Sequence, residues 1–192
     1  MTDFEMFNHL CKKSDEPSEA QCNESAKIRL SPNLVVARDA LAAITPLQKD
    51  CGKLCGAACC QPDEDGRGGM VLFPGEELFY PRCDWATIAE SDVLVSDKPL
   101  YMLTCGGHCE RAARPLACRI FPLTPYAKKG SLRIILDVRA WPVCPLMPSG
   151  IGGLSSEFVK TVQSAMRALW REETHRAYMI ELSKRMDAYQ RF

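Results

Sequence analysis

The chain has 192 residues, enough for one sizeable domain with appendages. Its 24 basic and 24 acidic residues cancel, which removes the global electrostatic case for a nucleic acid or an anionic membrane as partner. No apolar run reaches the roughly 18 residues of a membrane span, and the opening Met1 to Phe7 lacks the basic region and apolar core of a secretory signal. The expected location is therefore cytoplasmic. Eleven cysteines in a reducing compartment point to metal or redox chemistry rather than a disulfide framework, and an odd number leaves one over in full pairing.

Residues 1–26 are polar and acidic, with Asp15-Glu-Pro-Ser-Glu19, and are expected to form a flexible arm. Cys11 and Cys22 fall in it at spacings that match no compact ligand motif. A cysteine-cluster core is expected over residues 27–153. It opens with Ser31-Pro32, a cap residue followed by proline at the first helical position. Leu34, Val35, Ala37, Arg38, Leu41, Ala42 and Ile44 follow at helical spacing, with Pro46 as the stop.

Next comes Cys51-Gly-Lys-Leu-Cys55-Gly-Ala-Ala-Cys59-Cys60, four cysteines within ten residues. No packing argument explains such a cluster, whereas thiolates are soft ligands for zinc and iron–sulfur centres. Cys51, Cys55 and Cys59 are spaced to share one face of a helix. Gly52 and Gly56 argue instead for a loop with close backbone approach. Cys59 and Cys60 are adjacent, so their side chains diverge. Two nearby metals, or one ligand and one bystander thiol, satisfy that geometry.

Residues 61–69 read as a turn-rich loop and Met70 to Phe73 as a short strand. Glu76 and Glu77 suit a helix N-terminus, with an oxygen ligand or proton acceptor as the alternative. Cys83 stands alone, a further ligand or a structural thiol. Residues 88–98 carry scattered charge and read as a surface connector. Leu100 to Leu103 reads as a strand that delivers Cys105.

Cys105 and Cys109 bracket His108, an additional candidate ligand. Arg111, Arg114 and Arg119 surround Cys109 and Cys118, where guanidinium groups offset thiolate charge or hold an anionic substrate. The structural or charge-compensating role is preferred. Leu132 to Arg139 alternates as a strand, preceded by a turn at Lys128-Lys-Gly130 and a hairpin partner at 121–126. It delivers Trp141 and Cys144. Pro142, Pro145 and Pro148 then make a rigid, non-helical exit.

Residues 154–192 are expected to be helical, capped by Ser155 or Ser156, with a bend over 171–175. Phe158, Val162, Met166 and Leu169 form one apolar stripe, extended by Ala177, Ile180, Leu182, Met186 and Tyr189. The fold class is α+β: a small, irregular, metal-centred cysteine core with short strands, covered by an N-terminal helix and long C-terminal helices. The candidate metal ligands are Cys51, Cys55, Cys59, Cys60, Cys105, Cys109, Cys118 and Cys144. They would hold an iron–sulfur cluster, such as 4Fe-4S, or more than one metal centre, with a redox or catalytic role. A structural zinc protein is the alternative.

Several of these strings resemble a known family. They are Cys55-Gly-Ala-Ala-Cys59-Cys60, Leu72-Phe-Pro-Gly-Glu-Glu77, the pair Cys105 and Cys109, Arg114-Pro-Leu-Ala-Cys118-Arg119-Ile-Phe-Pro122, and Cys144-Pro145 with glycines after it. Together they resemble the YkgJ-type cysteine-cluster family, a zinc- or iron-chelating domain described as CxxCxxCC. That family includes flagellin lysine N-methylases. The likeness spans Cys51 to Gly153, and its most specific part is the string around Cys118. The first cluster departs from the family by its wider spacing, and it does not match the three-cysteine spacing of radical S-adenosylmethionine enzymes. The resemblance implies bound iron–sulfur or zinc. Its methylase members imply an enzyme acting on protein lysines, with a protein as substrate. The chain has no glycine-rich strand-to-helix turn of the Rossmann kind, so a methyl donor would have to bind beside the metal.

Overall fold

The computed structural model describes residues 30–61, 69–81, 84–106 and 109–189. The 1–26 arm with Cys11 and Cys22, and the candidates Cys83 and His108, lie outside the described residues. Helix α1, Pro32–Ala40, begins as its sequence requires. Ser31 is extended (φ −68°, ψ 125°), Pro32 takes the first turn, and the Ser31 hydroxyl accepts the Leu34 N–H at 3.2 Å. The helix stops at Ala40, ahead of Pro46, with its Leu34, Ala37 and Arg38 face buried.

Strands β1 (Met70–Val71), β2 (Ala86–Val95) and β3 (Lys98–Cys105) form an antiparallel sheet in the order β1–β3–β2. The expected connector over 88–98 is in fact strand and turn. Its charges obscured the alternation because β2 is an edge strand, where Glu90 and exposed polar neighbours guard the open side. Val93 and Val95 are buried in the core, and Ala86 and Ile88 pack against it half-buried. Ser96 and Asp97, at φ 51° and 62°, make the two-residue turn whose left-handed backbone matches strand twist. Strands β4 (Leu123–Lys128) and β5 (Ser131–Leu136) form the expected hairpin, turning at Lys129 and Gly130 (φ 51° and 75°). Strand β5 ends three residues earlier than its alternation suggested. There Asp137 leaves the ladder and its carboxylate takes the N–H groups of Arg139.

Two short helices, α2 (Gly52–Cys55) and α3 (Leu116–Ile120), carry cysteines. Two long ones, α4 (Ser156–Trp170) and α5 (Glu173–Tyr189), close the chain on either side of the expected bend. Phe158, Val162, Met166 and Leu169 of α4 are fully buried, as their stripe required. On α5 the buried face is different. Tyr178, Met179, Leu182, Ser183 and Met186 point inward, while Ile180 and Tyr189 are exposed. The cause is polar: α5 lies along β4, the Ser183 hydroxyl accepts the Ala127 N–H at 2.7 Å, and Tyr126 donates to Asp187 at 2.7 Å. That strand needs its outward N–H satisfied, so α5 turns a serine towards it.

The architecture is α+β. Helix α4 packs on α1 and β5, and α5 packs on β4 and β2. A continuous apolar cluster runs from Leu34 through Phe73, Leu103 and Leu123 to Met186. The cysteines stand at its rim: Cys51, Cys105 and Cys144 pack against it from outside. Among the described residues no helix is long and apolar enough to cross a membrane.

The first turn of α5 holds a buried histidine. His175 is 3% exposed and packs 6.3 Å from the Phe73 ring, with its Nδ1 3.0 Å from Glu172. Burial pushes its pKa down, against the pull of Glu172 and Glu76. The unfolded chain then takes up a proton near pH 6.5 that the folded chain resists. Stability from this residue is complete above that pH and falls as pH drops, by at most about 1.4 kcal/mol per unit for one proton. Glu172 acts lower on the scale. Burial opposes its charge, but hydrogen bonds from Ser31 and Asn33 outweigh it and hold the pKa down. Denaturation of His175→Phe between pH 7 and 5 is expected to show a flatter acid limb than the parent; an unchanged slope would place the proton elsewhere.

Candidate functional site

The first cluster folds as a helical turn and a reversal. Cys51 precedes α2 and Cys55 ends it, so the two share a face, and Cys55 Sγ lies 3.8 Å from the Cys51 carbonyl. The glycines do not prevent this turn of helix, contrary to the loop expected; Gly56 terminates it in the left-handed region at φ 61°. Ala57 follows at φ 55°, a conformation that costs a residue with a side chain roughly 1–2 kcal/mol. This pair reverses the chain into a tight turn over Ala58–Cys60. In a turn of three residues per revolution, neighbouring side chains project about 120° apart. Cys59 and Cys60 nonetheless stay in side-chain contact.

The other four cysteines arrive from separate elements. Cys105 closes β3 opposite Ala86. Cys109 follows the sheet, Cys118 sits within α3, and Cys144 is held by its N–H on the Ala140 carbonyl at 2.8 Å. All eight are thiols rather than disulfides. They surround two adjoining cavities. One, of about 60 Å³, is lined by Cys59, Cys60, Cys105, Cys109 and Cys118, with Trp85 and Met70. The other, of about 40 Å³, is lined by Cys51, Cys55, Cys59, Cys118 and Cys144, with Arg111 and Phe121. Arg114 lines both. Each exceeds the roughly 10–15 Å³ that one water-sized particle needs. Gly69 lies against β3 at the first cavity, where a Cβ would lie 2.5 Å from the Leu103 carbonyl. Among the described residues no three His, Cys, Asp or Glu side chains already converge on a single ion. The sulfurs stand around spaces.

The electrostatics of the basin are those of crowded thiols. Burial pushes Cys118 far up, with Cys60, Cys109 and Glu76 adding to it and Arg114 opposing. Cys59 is raised by its contact with Cys60 and then by burial. Burial also raises Cys51 and Cys109. Two guanidinium groups stand among them. Arg114 lies beside Cys109, Cys60 and Cys118, and Arg111 beside Cys51 and Asp50. Burial and the charge of Arg114 together lower the Arg111 pKa. Arg111 also donates to the carbonyls of Ala42 and Ile44, and negative charge between two cations this close would stabilise both, which the thiols supply only once deprotonated.

Beneath the basin a buried polar network fixes Cys118. Glu76, fully buried, pairs with Arg38 of α1 and accepts the N–H groups of Phe73 at 3.1 Å and Leu116 at 2.6 Å. It thereby caps the helix that carries Cys118. Arg38 also donates to the Tyr80 hydroxyl at 2.9 Å and stacks over Phe79, and Tyr80 donates to the Ala113 carbonyl at 3.0 Å. Arg119, 1% exposed, donates to the carbonyls of Arg114, Ala112 and Arg38. Its guanidinium is a structural clamp facing away from solvent. Glu76 spends its oxygens on the network, not on a ligand or proton-acceptor role. The Leu72-Phe-Pro-Gly-Glu-Glu77 string and the string around Cys118 are thus two halves of one support.

The chain matches no protein-family model, no curated protein and no solved structure.

The eight cysteines singled out in the sequence line the two cavities, but sequence reasoning passed over their neighbours. Trp85, a wall of the first cavity stacked edge-on against Tyr80, carried no signal of its own. Arg38 did: a charged residue on the apolar face of α1 requires a buried partner. Glu76 was available as that partner.

Proposed function

We propose that this chain is a metal-binding protein whose cysteine basin holds iron–sulfur, in the manner that its resemblance to the YkgJ-type family implies. The observation that supports the reading is eight thiols from five separate stretches of chain gathered around two joined cavities, with an arginine against each. A bare cluster of eight thiols has no packing advantage over aliphatic side chains, whereas metals and their clusters require such donors. The sulfurs surround a volume instead of a point. That suits a polynuclear group better than a lone zinc ion, whose four ligands would have to close to Zn–S distances of about 2.3 Å. Such a group supplies electron exchange or a Lewis-acidic iron when bound. The chain's own contribution is to hold the thiols through α2, α3 and the end of β3, to offset their charge with Arg111 and Arg114, and to wall them with Trp85 and Phe121. Nothing in the geometry favours the lysine-methylase reading over plain metal binding.

Purification without oxygen tests this. The expected product is brown, with iron and acid-labile sulfide in equal amounts. A colourless protein carrying zinc would replace the reading with a zinc one. A protein that holds neither, after growth with both metals supplied, would end it.

A further inference from the structure

We propose that the acidic stretch Asp15 to Glu24 lies along the outer face of α4, its carboxylates against Lys160, Arg167 and Arg171. The contact lies outside the cysteine basin and is independent of the metal reading. Lys160, Ser164, Arg167 and Arg171 recur at steps of four, three and four residues, so they share one face of the helix. That face is exposed, opposite the buried Phe158, Val162 and Leu169. The three cations span about 16 Å of helix. With Gln163, Ser164 and Ala168 they border an open groove of about 430 Å³, room for a stretch of chain rather than an ion. Among the described residues none of the three has an ion pair. Glu157 and Glu173 stand at the two ends without pairing to them, and Glu172 is engaged by Ser31 and Asn33.

Charge and reach both point to the chain's own segment as the occupant. Residues 14–26 carry Asp15, Glu16, Glu19 and Glu24 and no lysine or arginine. The other carboxylate run, Asp63-Glu-Asp65, is anchored through Gln61 and Gly69 to the first cavity, which α4 does not line. Ser31 and Asn33 bond to Glu172 at 2.8 and 2.6 Å, so the chain enters the fold beside the Arg171 end of the stripe. Glu19 lies eleven residues before Leu30. At up to about 3.3–3.6 Å per residue, that length covers the stripe with slack to round the helix. Exposed ion pairs are individually weak, so three of them would hold a free partner poorly. A tethered segment meets them at an effective concentration on the order of millimolar, where weak pairs suffice.

Carbodiimide coupling of the full chain tests the contact, because the reagent joins a carboxylate only to an amine that it touches. Equal parts of isotopically light and heavy chain are coupled at low salt under reducing conditions, and the digest is read by mass spectrometry. Lys184 and Glu181, 3.1 Å apart, couple in the same run and serve as the standard. The expected result is a link from Lys160 to Asp15, Glu16 or Glu19 within one molecule. Its yield relative to the standard is expected to fall at least about fivefold at about 0.5 M salt, where exposed charges are screened within a few ångströms. Arg167→Gln with Arg171→Gln is expected to lower it similarly in a chain whose circular dichroism is unchanged. A standard that couples while Lys160 makes no link to residues 15–24 overturns the inference. So does a link that survives salt, or one that joins light chain to heavy, which would give the groove to a second copy. The salt series uses the parent chain, so it decides even where the variant misfolds. Metal content plays no part in the readout, so neither outcome touches the reading of the basin.

Discussion

Replacing Glu76 with alanine is expected to cost the fold about 3–5 kcal/mol. The side chain is fully buried and its two oxygens serve Arg38, the Phe73 N–H and the Leu116 N–H. Removing it leaves a guanidinium that is 2% exposed without its counter-charge. Two backbone donors lose their acceptor as well, and each such buried group costs about 1–3 kcal/mol. A typical domain has only about 5–15 kcal/mol in hand, so the variant will be marginal. Urea denaturation gives the number, and the companion double variant identifies the cause. Arg38→Met with Glu76→Leu removes both charges together, and is expected to recover much of the loss because a buried pair replaced by apolar groups is often neutral. The recovery will be incomplete, since the Phe73 and Leu116 donors stay unserved and the Tyr80 hydroxyl keeps, of its bonds to Arg38 and the Ala113 carbonyl, only the second. A Glu76→Ala loss below about 1 kcal/mol would mean that water reaches this network.

How much of this could be read in advance differs by element. The start of α1 was legible because its determinants are local: Ser31 and Pro32 fix it within one turn. The β4–β5 hairpin was legible for the same reason, with alternation in Leu132 to Leu136 and a turn at Lys129-Gly130. Strand β2 was not, since an edge strand exposed on one side and bulged between Glu90 and Leu94 has little alternation to show. The inward face of α5 was misassigned because Ser183 is polar, and only the neighbouring β4 makes a serine belong inside. The gathering of the eight cysteines was foreseen from residue type alone. Their division between two cavities was not, since it depends on the left-handed reversal at Gly56 and Ala57. Arg119 reads in sequence as a structural or charge-compensating cation near a thiol. Its three carbonyl partners lie 5, 7 and 81 residues away, and no local pattern announces the last of them.

The substitution Cys118→Ser separates a ligand from a structural thiol by its dependence on metal. Serine keeps nearly the same shape, so in metal-free protein the cost is expected to stay under about 1 kcal/mol, or about 2–4 °C for a chain of this size. In loaded protein the same change removes a ligand whose binding energy is folding energy. A metal present at about 1,000 times its dissociation constant stabilises by about 4.1 kcal/mol. Losing that corresponds to a fall of roughly 8–16 °C, at about 2–4 °C per kcal/mol. Cys118 is the most telling choice because it lines both cavities and sits on the helix that Glu76 caps, so its position is set before any metal arrives. The thiol state agrees: burial and the neighbouring Cys60 and Cys109 hold it protonated until a cation displaces the proton. Cys11→Ser is expected to change neither melting temperature nor metal content. Thermal melts with and without metal give both values in one series. An equal fall in the two states would show that Cys118 packs and does not ligate, whereas a fall confined to the loaded protein is what a ligand on a pre-built support must give.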